Sequence, residues 1–445
     1  MKVSIIGAGY VGLVTGVCMA EKGHDVICVD VDEEKIAKIN SGVPSIHEAG
    51  LEELLQRNIQ SRLKATRDFA AAIKHADVSL IAVGTPSDGN EISLAQVREA
   101  AYQIGKNLRQ AAPYHLVVVK STVVPGTTDE IVLPILEESS GRKAGLEFGV
   151  AVNPEFLTEG QAAADFMNPD RIVLGANDDP SMQHLDRLYA GFQGTPMVRT
   201  NRKTAEMIKY ASNALLATQI SFANEFANLC AGLGGIDVVD VVRGVHLSAY
   251  LRPMAMDGSR IQAPISSFLE AGCGFGGSCL PKDVNALIAH AEARGTPMPL
   301  LRAVLDINKD RPRQVLALLK RHFSPLRNVG VSLLGLSFKP DTDDMRESPA
   351  IPIIRELLAQ GAILRAYDPV ANPEARKLFP DSQLSLCGTL EEALVGVDAV
   401  VLVTRWETFG RVPELLAKLN PAALFVDGRR MLDKHAFARY EGIGL

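Results

Sequence analysis

Apolar residues gather in short runs of strand length, and the stretches between them carry apolar positions at helical spacing. Val3-Ser4-Ile5-Ile6, Asp25 to Val29, Val78 to Val83, Leu116 to Val119, Phe148 to Val152 and Arg171 to Gly175 read as strands. Strands alternating with helices predict a parallel sheet covered by helices. From about Thr204 to Cys230 the pattern becomes that of one long helix. Met207, Ile208, Ala211, Leu215 and Ile220 supply its packing surfaces, and Gly232, Gly234 and Gly235 close it. Beyond Asn328 the strands resume as Val329 to Leu334, Ala362 to Tyr367, Ala399 to Val403 and Ala423 to Val426, with a helix from Pro349 to about Gln360. The expected fold class is α/β, with two doubly wound parallel-sheet lobes joined by a long central helix and divisions at 1–200, 201–315 and 316–445.

With 445 residues, 47% hydrophobic and 22% charged, the composition is that of a soluble globular protein of two or three domains. Lys plus Arg total 46 against 52 Asp plus Glu, and the formal charge of -6 argues against nucleic acid or an acidic membrane as partner. Six cysteines (Cys18, Cys28, Cys230, Cys273, Cys279 and Cys387) lack paired metal-ligand spacing and read as reduced thiols of a cytoplasmic protein. No metal is expected. Met1-Lys2 and the apolar run Val3 to Ala20 imitate a secretory signal, but glycines interrupt the run.

Those glycines, Gly7, Gly9 and Gly12, stand as G-x-G-x-x-G between a strand and a helix, and the next strand delivers Asp30. Gly7 suits a tight turn, Gly9 the approach of a pyrophosphate to the backbone, and Gly12 close packing of helix on strand. The helix N-terminus offers free N–H groups to the phosphates. Asp30 can accept from both ribose hydroxyls and would repel a 2′-phosphate, so the expected cofactor is NAD in a Rossmann-like lobe. Gly84-Thr85-Pro86, Lys120-Ser121-Thr122 and Asn153-Pro154-Glu155 each follow a strand's C-terminal end, the edge on which such sheets bind ligands.

The stretch Gly274-Phe275-Gly276-Gly277-Ser278-Cys279-Leu280-Pro281-Lys282-Asp283 sets one thiol among a glycine-rich turn and a nearby lysine. Such surroundings favour a thiolate nucleophile, although a buried structural cysteine after a flexible turn fits the same residues. Lys209 and Asn213 share a face of the long helix, and a solvated face is the plain reading of that pair. In the last lobe Thr404-Arg405-Trp406 and Asp427-Gly428-Arg429-Arg430 end strands, where arginine pairs can clamp a diphosphate. That lobe lacks the glycine fingerprint, so it reads as a nucleotide-sugar site or as a duplicated lobe serving only as interface.

In order along almost the whole chain these motifs resemble the UDP-glucose/GDP-mannose dehydrogenase family. Gly7 to Gly12, Gly84-Thr85-Pro86, Ser121-Thr122-Val123, Asn153 to Gly160, Lys209 to Asn213, Gly276 to Asp283 and Phe338-Lys339 to Arg346-Glu347-Ser348 carry the match. The resemblance implies oxidation of a sugar C6 alcohol to a carboxylate with two NAD, in a homodimer or larger homo-oligomer. It implies that Lys209, or a water held by Asp283, takes the C6 hydroxyl proton, with Thr122 and Asn213 positioning. Cys279 then attacks the aldehyde, Lys209 and Asn213 stabilise the oxyanion, and Glu155 activates the hydrolytic water. It places Tyr10, Val11, Lys35, Thr85, Pro86, Ser121, Thr122, Glu159, Lys282 and Arg346 on the cofactor side. Glu155, Phe156, Leu157, Lys209, Asn213, Arg260, Phe268, Leu269, Gly276, Cys279, Phe338, Lys339 and Arg429 fall on the substrate side.

Cys279-Leu280-Pro281-Lys282-Asp283-Val284 looks like the GDP-mannose branch, whereas Thr404 to Phe409, Asp427 to Arg430 and Tyr210 to Ala214 resemble the UDP-glucose branch. Base recognition is expected to reside in the last lobe, so UDP-glucose is the expected substrate, with GDP-mannose the alternative. Between Val242 and Cys279 the connection is longer than in the UDP-glucose branch, through His246 to Met256 and Gln262 to Ser267. A silent NAD and nucleotide-sugar sensor, or a dehydrogenase that stops after one hydride, would share the lobes but not the need for Cys279 and Glu155.

Overall fold

The computed structural model describes residues 1–59, 61–108, 114–380 and 382–445. The chain forms two compact units, Met1–Ser212 and Asn213–Leu445. The boundary falls within one 32-residue helix, Arg202–Leu233, which is longer at both ends than the sequence pattern indicates.

In the first unit eight strands form one sheet: β1 (Lys2–Ile6), β2 (Asp25–Val29), β3 (Leu63–Thr66), β4 (Val78–Ile81), β5 (His115–Val119), β6 (Phe148–Val152), β7 (Ile172–Ala176) and β8 (Met197–Thr200). Their order is β8-β7-β6-β5-β4-β1-β2-β3. Successive side chains of a strand point to opposite faces. Leu116 and Val118 accordingly enter one core and Val117 and Val119 the other, which is why β5 is apolar throughout. The sheet departs from the all-parallel expectation at one place. β6 and β7 pair antiparallel, so β7 and β8 run against the other six strands. The chain leaves β1 toward β2 and later returns to its other side at β4, which makes the gap between β1 and β4 the topological switch point.

The second unit holds a wholly parallel six-stranded sheet: β9 (Gly330–Leu334), β10 (Ile363–Tyr367), β11 (Leu384–Leu386), β12 (Ala399–Leu402), β13 (Leu424–Asp427) and β14 (Tyr440–Gly442). Its order, β11-β10-β9-β12-β13-β14, repeats the same device and sets a switch point between β9 and β12. Gly335, just past β9, has φ +90° and lies so close to Thr404, just past β12, that a Cβ would strike it. Five helices matter below: α1 (Tyr10–Glu21), α2 (Arg202–Leu233), α3 (Val238–His246), α4 (Leu280–Glu292) and α5 (Pro299–Lys320).

Candidate functional site

At the first unit's switch point, Gly7 has φ +98°, and a Cβ there would lie 2.8 Å from the Ala82 carbonyl oxygen. A Cβ on Gly12 would run into the Gly7 carbonyl, whereas one on Gly9, the residue before α1, would meet nothing within 4 Å. The turn is therefore tight on its protein side and open where a pyrophosphate would approach. Asp30 closes the turn by accepting from the Ala8 amide at 2.8 Å and the Asp32 amide at 3.0 Å. Asp32 caps the next helix through the amides of Glu34 and Lys35, which sets Lys35 on its first turn. These features fit NAD: a glycine turn, the N-terminus of α1 and a carboxylate at the end of β2. Val11 packs partly into the core beneath.

Strand ends β4 and β5 are laced together by hydroxyls. Thr85 donates to the Thr122 carbonyl at 3.0 Å, and Ser121 donates to the carbonyls of Ile81 and Val83. Pro86 follows Thr85 on the same edge. The Tyr10 hydroxyl donates to Glu48, and the Gly160 amide, next to Glu159, donates to both Glu48 at 2.9 Å and Tyr10 at 3.0 Å. Sequence reasoning missed Glu48, since nothing in its own neighbourhood marks a buried carboxylate.

After β6 come the buried charges. Lys209 and Glu155 form an ion pair at 2.9 Å with side chains only 6% and 7% exposed. Burial works to raise the Glu155 carboxyl, but Lys209 and the Leu157 amide, 2.6 Å from it, outweigh burial and hold it below the usual carboxylate range. Phe156 lies beneath two cations, with the Arg171 guanidinium 3.9 Å and the Lys209 ammonium 5.5 Å from its ring centre. A third charge was visible in the sequence only as a polar strand end. Lys120 is buried, donates to Asn153 at 2.9 Å, and is pushed down to about 8 by burial. Tyr189 donates to the same Asn153 oxygen.

In the second unit Cys279 stands at the N-cap of α4, with Pro281 in the first turn. Of the six cysteines it alone is exposed; the other five are buried and free. Burial pushes the thiols of Cys18 and Cys28 up to about 12 and raises those of Cys273 and Cys387. The buried-cysteine reading thus fits its five companions and not Cys279. Asp283, on the first turn of α4, is almost wholly buried and accepts from Asn213 at 2.7 Å and from the Lys282 ammonium at 2.6 Å. Lys282 is thereby committed to Asp283 instead of standing as an independent cation beside the thiol.

A cleft of about 260 Å³ opens at the second switch point, lined by Ile220, Phe268, Gly276, Phe338, Lys339, Arg405 and Arg429 among others. Arg429 reaches the carbonyls of Val403 and Gly274, and Arg405 pairs with Glu270 and donates to the Arg429 carbonyl. Burial first, then Arg429, pushes the Arg405 guanidinium down to about 10. The expected pair Arg429-Arg430 does not act as one clamp. Arg430 has φ 51° and turns its guanidinium to Asp237 at 2.8 Å, because that buried carboxylate needs a cation. Leu269 ends the short turn Pro264–Phe268 without lining the cleft, and Arg260 is exposed beside an isolated bridge to Met254. Arg346 chelates Asp344 through its guanidinium, while its carbonyl accepts from the Gly277 amide at 2.9 Å.

Profiles of the UDP-glucose/GDP-mannose dehydrogenase family match the chain as NAD binding domain over residues 1–193, central domain over 203–310 and UDP binding domain over 332–434. A UDP-glucose 6-dehydrogenase of Haloferax volcanii is 42% identical over the full length of both chains. A GDP-mannose 6-dehydrogenase of Pseudomonas putida is 39% identical, again over both full lengths. Among solved structures, a UDP-glucose dehydrogenase of Pyrobaculum islandicum superposes with a TM-score of 0.90 at 38% identity, covering 99% of this chain and 97% of the other.

Proposed function

The chain belongs to the UDP-glucose/GDP-mannose dehydrogenase family, and on that premise we propose that it oxidises the C6 alcohol of UDP-glucose to the carboxylate of UDP-glucuronate. The observation that carries the proposal is Cys279, the exposed thiol at a helix N-terminus, following the glycine loop that lines a cleft with Lys339, Arg405 and Arg429. We assign 1–200 to NAD, 201–315 to the central part and 316–445 to the nucleotide sugar. No helix among the described residues is long and apolar enough to cross a membrane.

The overall reaction converts the alcohol and one water to a carboxylate, with four electrons leaving as two hydrides. NAD, when bound, accepts one hydride in each oxidation. In the first oxidation Lys209, or a water held by Asp283, removes the O6 proton while the C6–H bond breaks, with Thr122 and Asn213 positioning the group. The Cys279 thiolate then adds to the aldehyde carbon. Lys209 and Asn213 stabilise the oxyanion of the thiohemiacetal, and loss of its C6 hydride leaves a thioester. Glu155 takes a proton from the water that attacks the thioester, and the carboxylate leaves with Cys279 restored as thiolate. Gly7, Gly9, Asp30, Lys35 and Glu159 hold the cofactor; Phe268, Phe338, Lys339 and Arg429 hold the nucleotide sugar.

UDP-glucose is favoured over GDP-mannose by the residues at the C-terminal ends of β12 and β13 and by the relatives' names. Measuring NADH released from UDP-glucose and GDP-mannose tests both points. Two NADH per UDP-glucose are expected, and Cys279→Ser is expected to abolish net acid formation. Activity confined to GDP-mannose overturns the substrate, one NADH per sugar overturns the double oxidation, and full turnover by the serine variant overturns the covalent route.

A further inference from the structure

The loop Gly272 to Phe275 contributes Gly274 and Phe275 to the cleft and leads to Cys279 seven residues after its first member. Its short glycine-rich sequence has no regular element to fix it, so its backbone groups must find partners elsewhere. Side chains supply them. Asn224 on α2 accepts from the Gly272 amide at 2.8 Å, and Arg311 on α5 donates to the Gly272 carbonyl at 3.0 Å. Asn308, one turn before Arg311, does both jobs for Phe275: its Oδ1 accepts from the amide at 2.8 Å and its Nδ2 donates to the carbonyl at 3.0 Å. The Gly274 carbonyl takes the remaining donor, from Arg429 at 2.8 Å.

Arg311 is the largest fully buried side chain of the described residues, and it donates to oxygens of amides: the carbonyls of Gly272 and Asn224 and the side chain of Asn228. Burying a guanidinium is costly unless its donors are satisfied. An arginine kept there for packing alone would be replaced at lower cost by an apolar residue. The fit around Asn308 is equally tight. Gly274 has φ +93°, and a Cβ on it would collide with Asn308 Oδ1 and press on Arg311.

We propose that Asn308 and Arg311 are positioning residues of the nucleotide-sugar cleft, holding Gly272 to Phe275 in the conformation that gives the cleft its wall. The inference rests on the nucleotide-sugar reading given above. It places specificity for the sugar nucleotide partly on α5, neither of whose two residues lines the cleft.

Asn308→Ala removes both bonds to Phe275, and Asn308→Asp keeps the acceptor but cannot donate to the Phe275 carbonyl. The full chain of each variant is assayed for the two KM values, for UDP affinity by calorimetry without NAD, and for amide exchange over 270–278. Asn308→Ala is expected to raise KM for the sugar nucleotide and Kd for UDP by about tenfold, the scale of one or two hydrogen bonds, with KM for NAD within twofold. Asn308→Asp should fall on the same side, and Arg311→Lys serves as a check at the second residue. A lowered Tm with unchanged KM and UDP affinity would overturn the proposal, as would an equal rise in KM for NAD. Failure of the unaltered chain to bind UDP would sink the nucleotide-sugar reading instead; faster exchange of the Gly272 and Phe275 amides in Asn308→Ala would then still uphold the clamp, and unchanged exchange would refute it.

Discussion

A carboxylate that activates water must stay ionised, and burial alone would protonate Glu155. Its ion pair with Lys209 and the bond from the Leu157 amide reverse that tendency. The depressed pKa has a definite sign. The ionised form, and the stability it lends, is present above the ordinary carboxylate pKa and is lost only as pH falls through the depressed folded value. Thioester hydrolysis should therefore hold its rate through the range where free carboxyl groups titrate, near pH 4.3. Glu155→Gln is expected to slow turnover by about 10²–10⁴-fold, the usual worth of a positioned general base. Protein mass spectrometry should show an adduct accumulating on Cys279 after the second hydride has left. Slow turnover without such an adduct would assign Glu155 to another step.

Helix α3 shows how one residue joins distant parts of the second unit. Asp237 is its N-cap, accepting from the Val239 amide at 3.0 Å, and the same carboxylate takes Arg430 and Lys434 from beyond β13. Burial pushes this carboxyl up, but the two cations and the cap bond win and bring it from an ordinary 3.8 to about 2. Its contribution to stability is fully present above pH 3.8 and is lost as pH falls from there through about 2. Asp237→Ala should cost about 2–3 kcal/mol, combining a lost cap with a partly stranded pair of cations. The difference in denaturation midpoint from the parent should shrink below pH 3; a constant difference would mean that the charge is irrelevant. Elements of this kind also mark what could be read in advance. Gly7, Gly9, Gly12 and Asp30 were legible because a tight turn and a strand end require those residues at fixed spacing. Cys279 was legible because its neighbours in sequence are its neighbours in space. Glu48, Asn308, Arg311 and the turning of Arg430 to Asp237 were not, because each depends on partners 33 to 193 residues away, and a lone polar residue in a helix or loop carries no local sign of them. Nor does an apolar strand encode its direction, which is why the antiparallel β6–β7 pair escaped.

At the scale of the whole molecule the described surface carries an apolar stripe that a solitary chain does not account for. Leu215, Phe222, Phe226, Leu229 and Leu233 are 51%, 49%, 40%, 55% and 65% exposed, all on α2. Their spacings of seven, four, three and four place them on one helical face, and the rings of Phe222 and Phe226 touch with centres 4.8 Å apart. Scattered exposed apolar residues are ordinary, but a continuous stripe of this length marks an interface. We propose a second copy of the chain as its occupant, because a helix face meeting itself about a two-fold axis is self-complementary and closes the assembly. These side chains are already about half buried, so covering each contributes about half of the 1.5–3 kcal/mol of full burial, and the ten of a symmetric pair supply roughly 8–15 kcal/mol, on the scale of the 4–15 kcal/mol cost of association. Light scattering at micromolar concentration should give the mass of at least a dimer. Phe226→Glu sets a charge in the middle of the stripe and should give a folded monomer with an unchanged far-ultraviolet dichroism spectrum. A parent chain that is already monomeric, or a variant that remains dimeric, would remove α2 from the interface and leave the stripe without a partner.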